Sequence, residues 1–257
     1  NQISITGSVP VGAVYSVTYT VTIREDGNRG DDIVSNFLIP PGDTPPTDPE
    51  CIPSNTQEPD CTVNTIASVE YAKSVSASSD PVVTGTDLTY TITVTSTGAA
   101  VAAVDKIDDL TGVIDDATVT SLPVVAGSTT VTASPVIGGI ITIGGAIGVG
   151  ETATITYVVT VKAEDERGDD RADNFLLDPG DDPPTDCASN DPSCTSTPLS
   201  HIVSTKSVDP ASGTPVVAGD VLTYTLSFTN DGTVRGPVQF TDHLAKVVDD
   251  AAVTSGP

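Results

Sequence analysis

A segment of this chain occurs twice. It reads GDDIVSNFLIPPGDTPPTD from Gly30 and GDDRADNFLLDPGDDPPTD from Gly168. The same spacing relates Tyr19, in SVTYTVTI, to Tyr157, in TITYVVTV. A period this much longer than one strand or helix is typical of a tandem array of a single structural unit. The repeat therefore limits the chain to architectures that place copies of one domain in a row.

The rest of the chain contains a second pair of repeated segments. KSVSASSDPVVTGTDLTYTITVTSTG, from Lys73, matches KSVDPASGTPVVAGDVLTYTLSFTNDG, from Lys206. Further on, DDLTGVIDDATVTS from Asp108 matches DHLAKVVDDAAVTS from Asp242. The matches predict three parts, which are the second half of one unit with its linker (1–64), a complete unit with its linker (65–200) and the first half of the next unit (201–257).

Two interpretations of these half-units remain open. The chain is a window on a longer tandem array, or the end of one copy completes the start of the next in a head-to-tail fibre. The partners expected in either case are neighbouring repeats or other copies of the chain.

Alternation of apolar and polar residues predicts strands throughout the units. In LTYTITVT, Leu88, Tyr90, Ile92 and Val94 share one face, and threonines occupy the other. Such a period of two is typical of a sheet with one buried face. No segment has a convincing helical period, so we predict an all-β chain of tandem immunoglobulin-like sandwiches. Linkers rich in Pro and Asp, at 42–64 and 180–200, are predicted to join the units.

The net charge of −25, from 35 acidic and 10 basic residues, excludes several classes of partner. Nucleic acid and anionic membranes would be repelled. No apolar stretch of the sequence is long enough to span a bilayer. The chain has only two histidines, and its acidic pairs recur in each unit, so we expect a structural protein and not an enzyme that turns over.

Four cysteines lie in the two predicted linkers, as the pairs Cys51/Cys61 and Cys187/Cys194. Their spacing does not fit a CxxC metal or redox motif. Two local disulfides are expected, which indicates an oxidising, extracellular location.

Lysine, aspartate and asparagine recur at matching places in the repeat, at Lys73 and Lys206, Asp108 and Asp242, and Asn36 and Asn174. Burial of such a set would lower the pKa of an amine and raise that of a carboxyl group. A neutral amine could then attack a carboxamide, release ammonia and leave an isopeptide bond. The alternative is an exposed lysine near a loop aspartate and a capping asparagine.

The segments KSVDPASG and LTYTLSFTNDG resemble the repeat domains of Gram-positive, especially actinobacterial, surface adhesins and isopeptide-forming fimbrial proteins. The resemblance covers nearly the whole chain. It implies immunoglobulin-like domains in cell-wall-attached stalks, with Lys–Asn crosslinks in some members. By this resemblance Lys73 would be the nucleophile, Asp108 the catalytic acid and Asn174 the electrophile. Lys206 and Asp242 would belong to the next set, and Asn36 to the preceding one.

Acidic loops follow the same strand in each unit and contain the candidate calcium ligands Asp31, Asp32, Asp169 and Asp170. The EF-hand pattern is absent, and arginines in these loops could instead form ion pairs with the aspartates. No other cofactor is expected.

The sequence as a whole predicts a structural stalk or fibre-forming repeat of a bacterial cell-surface protein that supports adhesion. An unseen tip could contact a host or surface ligand. The alternatives are a self-assembling extracellular filament or surface-layer component, and an adhesin that binds its ligand directly.

Overall fold

The protein is almost entirely β in the computed structural model, which describes residues 2–44 and 61–256. Two strands precede the complete unit, β1 (Ile33–Phe37) and β2 (Cys61–Thr65). The unit itself contains β3 (Val69–Ala77), β4 (Asp87–Ser96), β5 (Ala102–Asp109), β6 (Ala117–Ala126), β7 (Val131–Ala133), β8 (Ile140–Ile147), β9 (Thr152–Val161), β10 (Arg171–Leu177) and β11 (Cys194–Pro198). Two more follow, β12 (Ile202–Asp209) and β13 (Thr223–Asn230). Within residues 2–44 and 61–256, helical structure is limited to α1 (Thr111–Ile114) and a 3-10 turn at Glu164–Glu166.

The complete unit is a sandwich of two antiparallel sheets. One sheet has the strand order β3-β4-β9-β6, and the other has the order β11-β10-β5-β8-β7. Residues from both sheets form one hydrophobic core. Packing of two antiparallel sheets over a shared core is the immunoglobulin-like arrangement, so the predicted fold class is confirmed.

The alternating pattern positions the core as the sequence predicted. Leu88, Tyr90, Ile92 and Val94 on β4 are all fully buried. Their neighbour β9 lies between β4 and β6 and buries Ile155, Tyr157 and Val159 in the same way. The intervening threonines are more accessible to solvent, because successive side chains of a strand point to opposite faces of the sheet.

Part of the predicted linker 180–200 belongs to the sandwich. A disulfide joins Cys187 to Cys194, and β11 starts at Cys194 and pairs with β10. The loop closed by the disulfide contacts the opposite sheet, where the backbone N–H of Lys73 donates to the carbonyl of Pro192 at 2.7 Å. The linker therefore also holds the edges of the two sheets together. Cys61 starts β2, whereas Cys51 lies outside the described residues, so that pairing stays a prediction.

The described residues of the two half-units do not form a closed core. The predicted strand at 16–23 is wrong, because the structure has no strand among residues 2–32 and Tyr19 is 52% exposed. Its counterpart β9 is hydrogen-bonded on both sides to β4 and β6, and no residues equivalent to those strands occur in 1–64. β13 forms as predicted, but among the strands of the described residues it pairs only with β12. The expectation of a buried face is wrong there, since Tyr224 is 39% exposed.

Among the described residues, no helix is both long and apolar enough to cross a membrane.

Candidate crosslinking site

Four polar side chains meet inside the sandwich, between its two sheets. Lys73 lies on β3 and Tyr157 on β9, in one sheet, while Asp108 on β5 and Asn174 on β10 come from the other. The side chains of Lys73 and Asp108 are completely buried, and Tyr157 and Asn174 are also fully buried. The fold therefore brings the predicted lysine, aspartate and asparagine of the complete unit into one cluster.

A continuous line of hydrogen bonds joins these residues. The Lys73 ammonium donates to Oδ1 of Asp108 in a very short contact. The Tyr157 hydroxyl donates to the other carboxylate oxygen, Oδ2, at 2.7 Å. Nδ2 of Asn174 in turn donates to the Tyr157 oxygen at 2.5 Å. Lys73 Nζ also lies 3.5 Å from that oxygen, so a single hydroxyl group stands between the amine and the carboxamide.

Aromatic rings surround the charged pair and exclude water from it. Tyr90 and Tyr157 stack with their ring centroids 5.2 Å apart, and Lys73 Nζ lies 5.5 Å from the centroid of the Tyr90 ring. Burial lowers the pKa of Lys73 below its usual value, and the charge and hydrogen bond of Asp108 oppose this only in part. Burial, reinforced by the nearby charge of Asp108, raises the pKa of Tyr157 well above its usual value. The environment favours a neutral amine and a protonated phenol.

Only the nitrogen of the Asn174 carboxamide has a hydrogen-bond partner among the described residues. Its carbonyl oxygen Oδ1 is buried and has no hydrogen-bond partner within the described residues. A buried acceptor without a donor is uncommon and costs free energy, on the order of 1–3 kcal/mol. Unsatisfied buried groups of this kind are often associated with a reactive or strained site.

Each half-unit contains its own half of the cluster. In 201–257, Lys206 donates to Asp242 at 2.5 Å. In the first half-unit, Nδ2 of Asn36 donates to the hydroxyl of Tyr19 at 2.6 Å. These two pairs correspond to Lys73 with Asp108 and to Asn174 with Tyr157. The contacts within each half of a unit therefore form locally, and the complete sandwich brings the two halves together.

Sequence reasoning missed Tyr157. Its position fits the alternating core pattern of β9, and this pattern predicts a core residue and not a member of the site. A usable signal was present, because Tyr19 and Tyr157 occupy matching places in the repeat, each followed at the same distance by the candidate asparagine. A tyrosine on a buried face needs a partner for its hydroxyl, and a repeated asparagine is a suitable one.

The candidate calcium ligands are mainly engaged in contacts within their own loops. Asp32 accepts a hydrogen bond from Nε of Arg29 at 2.6 Å. In the matching loop, Asp170 pairs with Arg167 at 3.0 Å and with His201 Nδ1 at 2.5 Å. Asp31 accepts from the backbone N–H of Ile33 at 3.1 Å. The ion pairs that the sequence left open as an alternative are thus present, and calcium binding stays a prediction.

Asp169 instead lies beside Asp115 and Asp116, with ligand atoms of all three within 4.8 Å of one another. Asp116 is fully buried, and burial raises its pKa to about 6. The Asp116 carboxylate accepts hydrogen bonds from the backbone N–H of Gly168 at 3.0 Å and from those of Asp170 and Arg171 at 3.2 Å. Asp116 therefore fixes the loop that leads into β10, and so helps to place Asn174.

The pKa of Lys73 leads to a pH prediction for a chain that cannot crosslink. In an Asn174→Ala variant, the unfolded lysine binds its proton up to about pH 10.4, whereas the folded one releases it at a lower pH. The unfolded state then binds more protons over that interval, so the free energy of unfolding rises with pH. Thermal unfolding between neutral pH and about pH 9, below the range in which unfolded tyrosines lose their protons, should show this rise.

Two further substitutions in the Asn174→Ala background serve as controls. Lys73→Met should remove the rise, whereas Lys106→Met should keep it, because Lys106 pairs with Asp178 at the surface. A melting temperature that falls over the same interval would contradict the shifted pKa of Lys73.

The fold and the buried cluster define a class: a repeat chain whose complete unit is a β-sandwich with a lysine, an aspartate, a tyrosine and an asparagine buried between its sheets. The chain belongs to the family described as "Domain of unknown function (DUF7927)", whose model matches residues 1–66, 68–199 and 201–257. That description assigns no activity to the family. Comparison with curated protein sequences gives no significant match.

Among solved structures, the chain is similar to the major pilin SpaA of Corynebacterium diphtheriae. The identity is 13%, the match covers 56% of this chain and 40% of the pilin chain, and the TM-score is 0.31. The chain thus spans less than half the length of that pilin. The pilin is described as having a modular pilus assembly with stabilising isopeptide bonds. A likeness this distant carries no argument about the present chain.

Proposed function

We propose that this chain is a repeat segment of a stalk or fibre on a bacterial cell surface, and that it supports adhesion mechanically. Each complete unit is locked by an isopeptide bond between Lys73 and Asn174. The observation that carries the proposal is the fully buried line of contacts from Lys73 through Asp108 and Tyr157 to Asn174. Neighbouring units of the same kind are its partners.

The chemistry requires no cofactor. When the proton shared by Lys73 and Asp108 lies on the carboxyl group, the amine is neutral and nucleophilic. It turns toward Cγ of Asn174, from which it is separated by one hydroxyl group, and forms a new C–N bond. The bond from Cγ to Nδ2 breaks, the amine nitrogen gives up one proton, the departing nitrogen gains one, and ammonia leaves. The reaction occurs once per unit, which distinguishes it from turnover catalysis.

The place of the bond in the fold suits a load-bearing role. Lys73 lies on the first strand of the sandwich and Asn174 on the penultimate one. A bond between them connects the two sheets and gives tension a covalent path that bypasses residues 74–173. The Cys187–Cys194 disulfide lies directly outside this path. The acidic surface, with net charge −25, keeps extended copies soluble and apart.

Intact-mass measurement under non-reducing conditions tests the proposal. The chain should be lighter than its sequence mass by one ammonia, in addition to the hydrogens lost to disulfides. Lys73→Arg, Asn174→Ala and Asp108→Ala should each abolish that loss. Fragmentation should locate the bond between the peptides that contain Lys73 and Asn174.

Two matched variants control for nonspecific effects. Asn36→Ala removes the equivalent asparagine of a half-unit, and Lys106→Arg changes a surface lysine that pairs with Asp178; both should keep the loss of ammonia. A mass equal to that of the unmodified sequence would overturn the proposed bond. Loss of one water instead would indicate a bond between Lys73 and Asp108, and would overturn the role of Asn174.

A further inference from the structure

We propose that Tyr157 relays the proton that Asn174 needs in order to release ammonia, so that its hydroxyl is a catalytic group of the crosslinking reaction. The inference rests on the proposed isopeptide bond and adds a fourth participant to it. It starts from geometry, because the Tyr157 hydroxyl contacts both Asp108 and Asn174 and also lies 3.5 Å from Lys73 Nζ.

The leaving group creates the need for such a relay. An amide nitrogen leaves as ammonia only if it gains a proton as its bond to carbon breaks. The Asn174 nitrogen that must leave is the atom in contact with the Tyr157 oxygen, at 2.5 Å. Asp108 contacts Tyr157 and Lys73 and has no direct bond to Asn174 among the described contacts. A proton from the carboxyl group therefore reaches the leaving nitrogen through the phenol.

The two carboxylate oxygens of Asp108 have different roles in the proton transfer. Oδ1 faces the amine and Oδ2 faces the phenol. The neutral amine attacks Cγ and gives one proton to Oδ1. In the resting site the phenol donates to Oδ2 and Nδ2 donates to the phenol oxygen, so the relay reverses both bonds. The attack on Cγ ends the amide resonance and frees the lone pair of Nδ2. The carboxyl proton, carried on Oδ2, then passes to the Tyr157 oxygen, and the phenol gives its own proton to Nδ2. One proton thus leaves Lys73 and one arrives on the departing nitrogen. The phenol and the carboxyl group both end neutral.

The repeat supplies an independent observation. In the first half-unit, Tyr19 and Asn36 form the same bond at 2.6 Å, although the lysine and aspartate of a complete set are missing there and Asn36 is exposed. The tyrosine–asparagine contact therefore does not depend on a closed core. The second half of a unit forms this contact by itself, and the lysine–aspartate pair comes from the first half.

Replacing Tyr157 by Phe tests the relay, because only the hydroxyl is removed and the ring can still stack on Tyr90. Pulse-labelled full chain would be made by cell-free translation and quenched in denaturant at intervals. The crosslinked form would be separated by its faster migration on non-reducing gels and identified by mass. Loss of a general acid–base group should slow crosslinking by at least about 100-fold.

Tyr90→Phe is the matched control. It removes a hydroxyl from the neighbouring buried ring, and that hydroxyl has no hydrogen-bond partner among the described residues. The Tyr90 variant should therefore crosslink at the rate of the original chain. Crosslinking of Tyr157→Phe at that same rate would overturn the relay while leaving the isopeptide bond intact. Failure of the original chain to lose ammonia would instead overturn the proposed function.

A second substitution separates proton transfer from simple positioning. Difluorotyrosine at position 157 keeps the hydroxyl and its contacts but makes the phenol more acidic. A relay predicts a crosslinking rate that rises with the acidity of the phenol, as general acid catalysis does. A rate that is unchanged or lower would assign the hydroxyl a positioning role only and overturn the inference. This measurement also holds if Tyr157→Phe fails to fold.

Discussion

The Asn174→Ala chain is expected to unfold at a temperature roughly 15 °C below that of the original chain. The isopeptide bond would close a loop from residue 73 to residue 174. In the chain-entropy treatment, a closed loop of roughly 100 residues destabilises the unfolded state by about 5 kcal/mol. Differential scanning calorimetry under non-reducing conditions measures the shift.

A double-substitution cycle separates the bond from the side chain. Lys73→Arg and Asn174→Ala should each lower the melting temperature, and the double variant should be little worse than either, because both remove the same bond. Asn36→Ala, at the matching place in the half-unit, should leave the transition unchanged. Equal melting temperatures for Asn174→Ala and the original chain would contradict a covalent link between the sheets.

Under force, the complete unit of Asn174→Ala should extend by roughly 340 Å more than that of the original chain. An extended chain gains about 3.4 Å per residue, and roughly 100 residues lie inside the proposed bond. In the crosslinked unit these residues carry no tension, since the load passes directly from Lys73 to Asn174. Single-molecule pulling from the two ends of the chain measures the difference in contour length.

The disulfide provides the control for this experiment. Adding a reductant to the original chain should release only short disulfide loops, such as the one between Cys187 and Cys194, and so a small extension beside that of the variant. A full-length extension of the original chain, with or without reductant, would show that tension reaches residues 74–173. That result would remove the mechanical basis of the proposed stalk.

The site was accessible to sequence reasoning to different degrees. Lys73, Asp108 and Asn174 stood out because polar residues recurred at matching places among apolar strand positions. Tyr157 did not, since tyrosine is an ordinary residue of a buried strand face and its hydroxyl partner comes from the other sheet. The sequence predicts the acidic loops and their aspartates as a group. Which aspartate pairs with Arg29 or Arg167, and which accepts a hydrogen bond from a backbone N–H, depends on the geometry of the loops. Asp116 became notable only when its burial was known.

The linker and the half-units also differ in how much of their structure the sequence predicts. Cys187 and Cys194 predicted a local crosslink, yet the strand β11 that follows it has no strong alternation. It forms because the disulfide returns the chain along β10, where unpaired backbone groups are available. Conversely, residues 16–23 have the alternation of β9 but no strand neighbours. A strand pattern describes a face that can be buried, and pairing requires a partner on each side.

By itself, the sequence determined the repeat, the all-β class, the inward face of strands such as β4 and β9 in the complete unit, and three of the four residues in the buried cluster. These follow from local chemistry, because alternation and spacing are properties of neighbouring positions. The tertiary structure alone decided that Lys73 and Asn174 come from opposite sheets into one buried cluster, that the Tyr157 hydroxyl lies beside both, and that the described parts of the half-units leave their apolar faces open. Those outcomes depend on pairing between residues far apart in the chain, and a side chain becomes reactive through what surrounds it after folding.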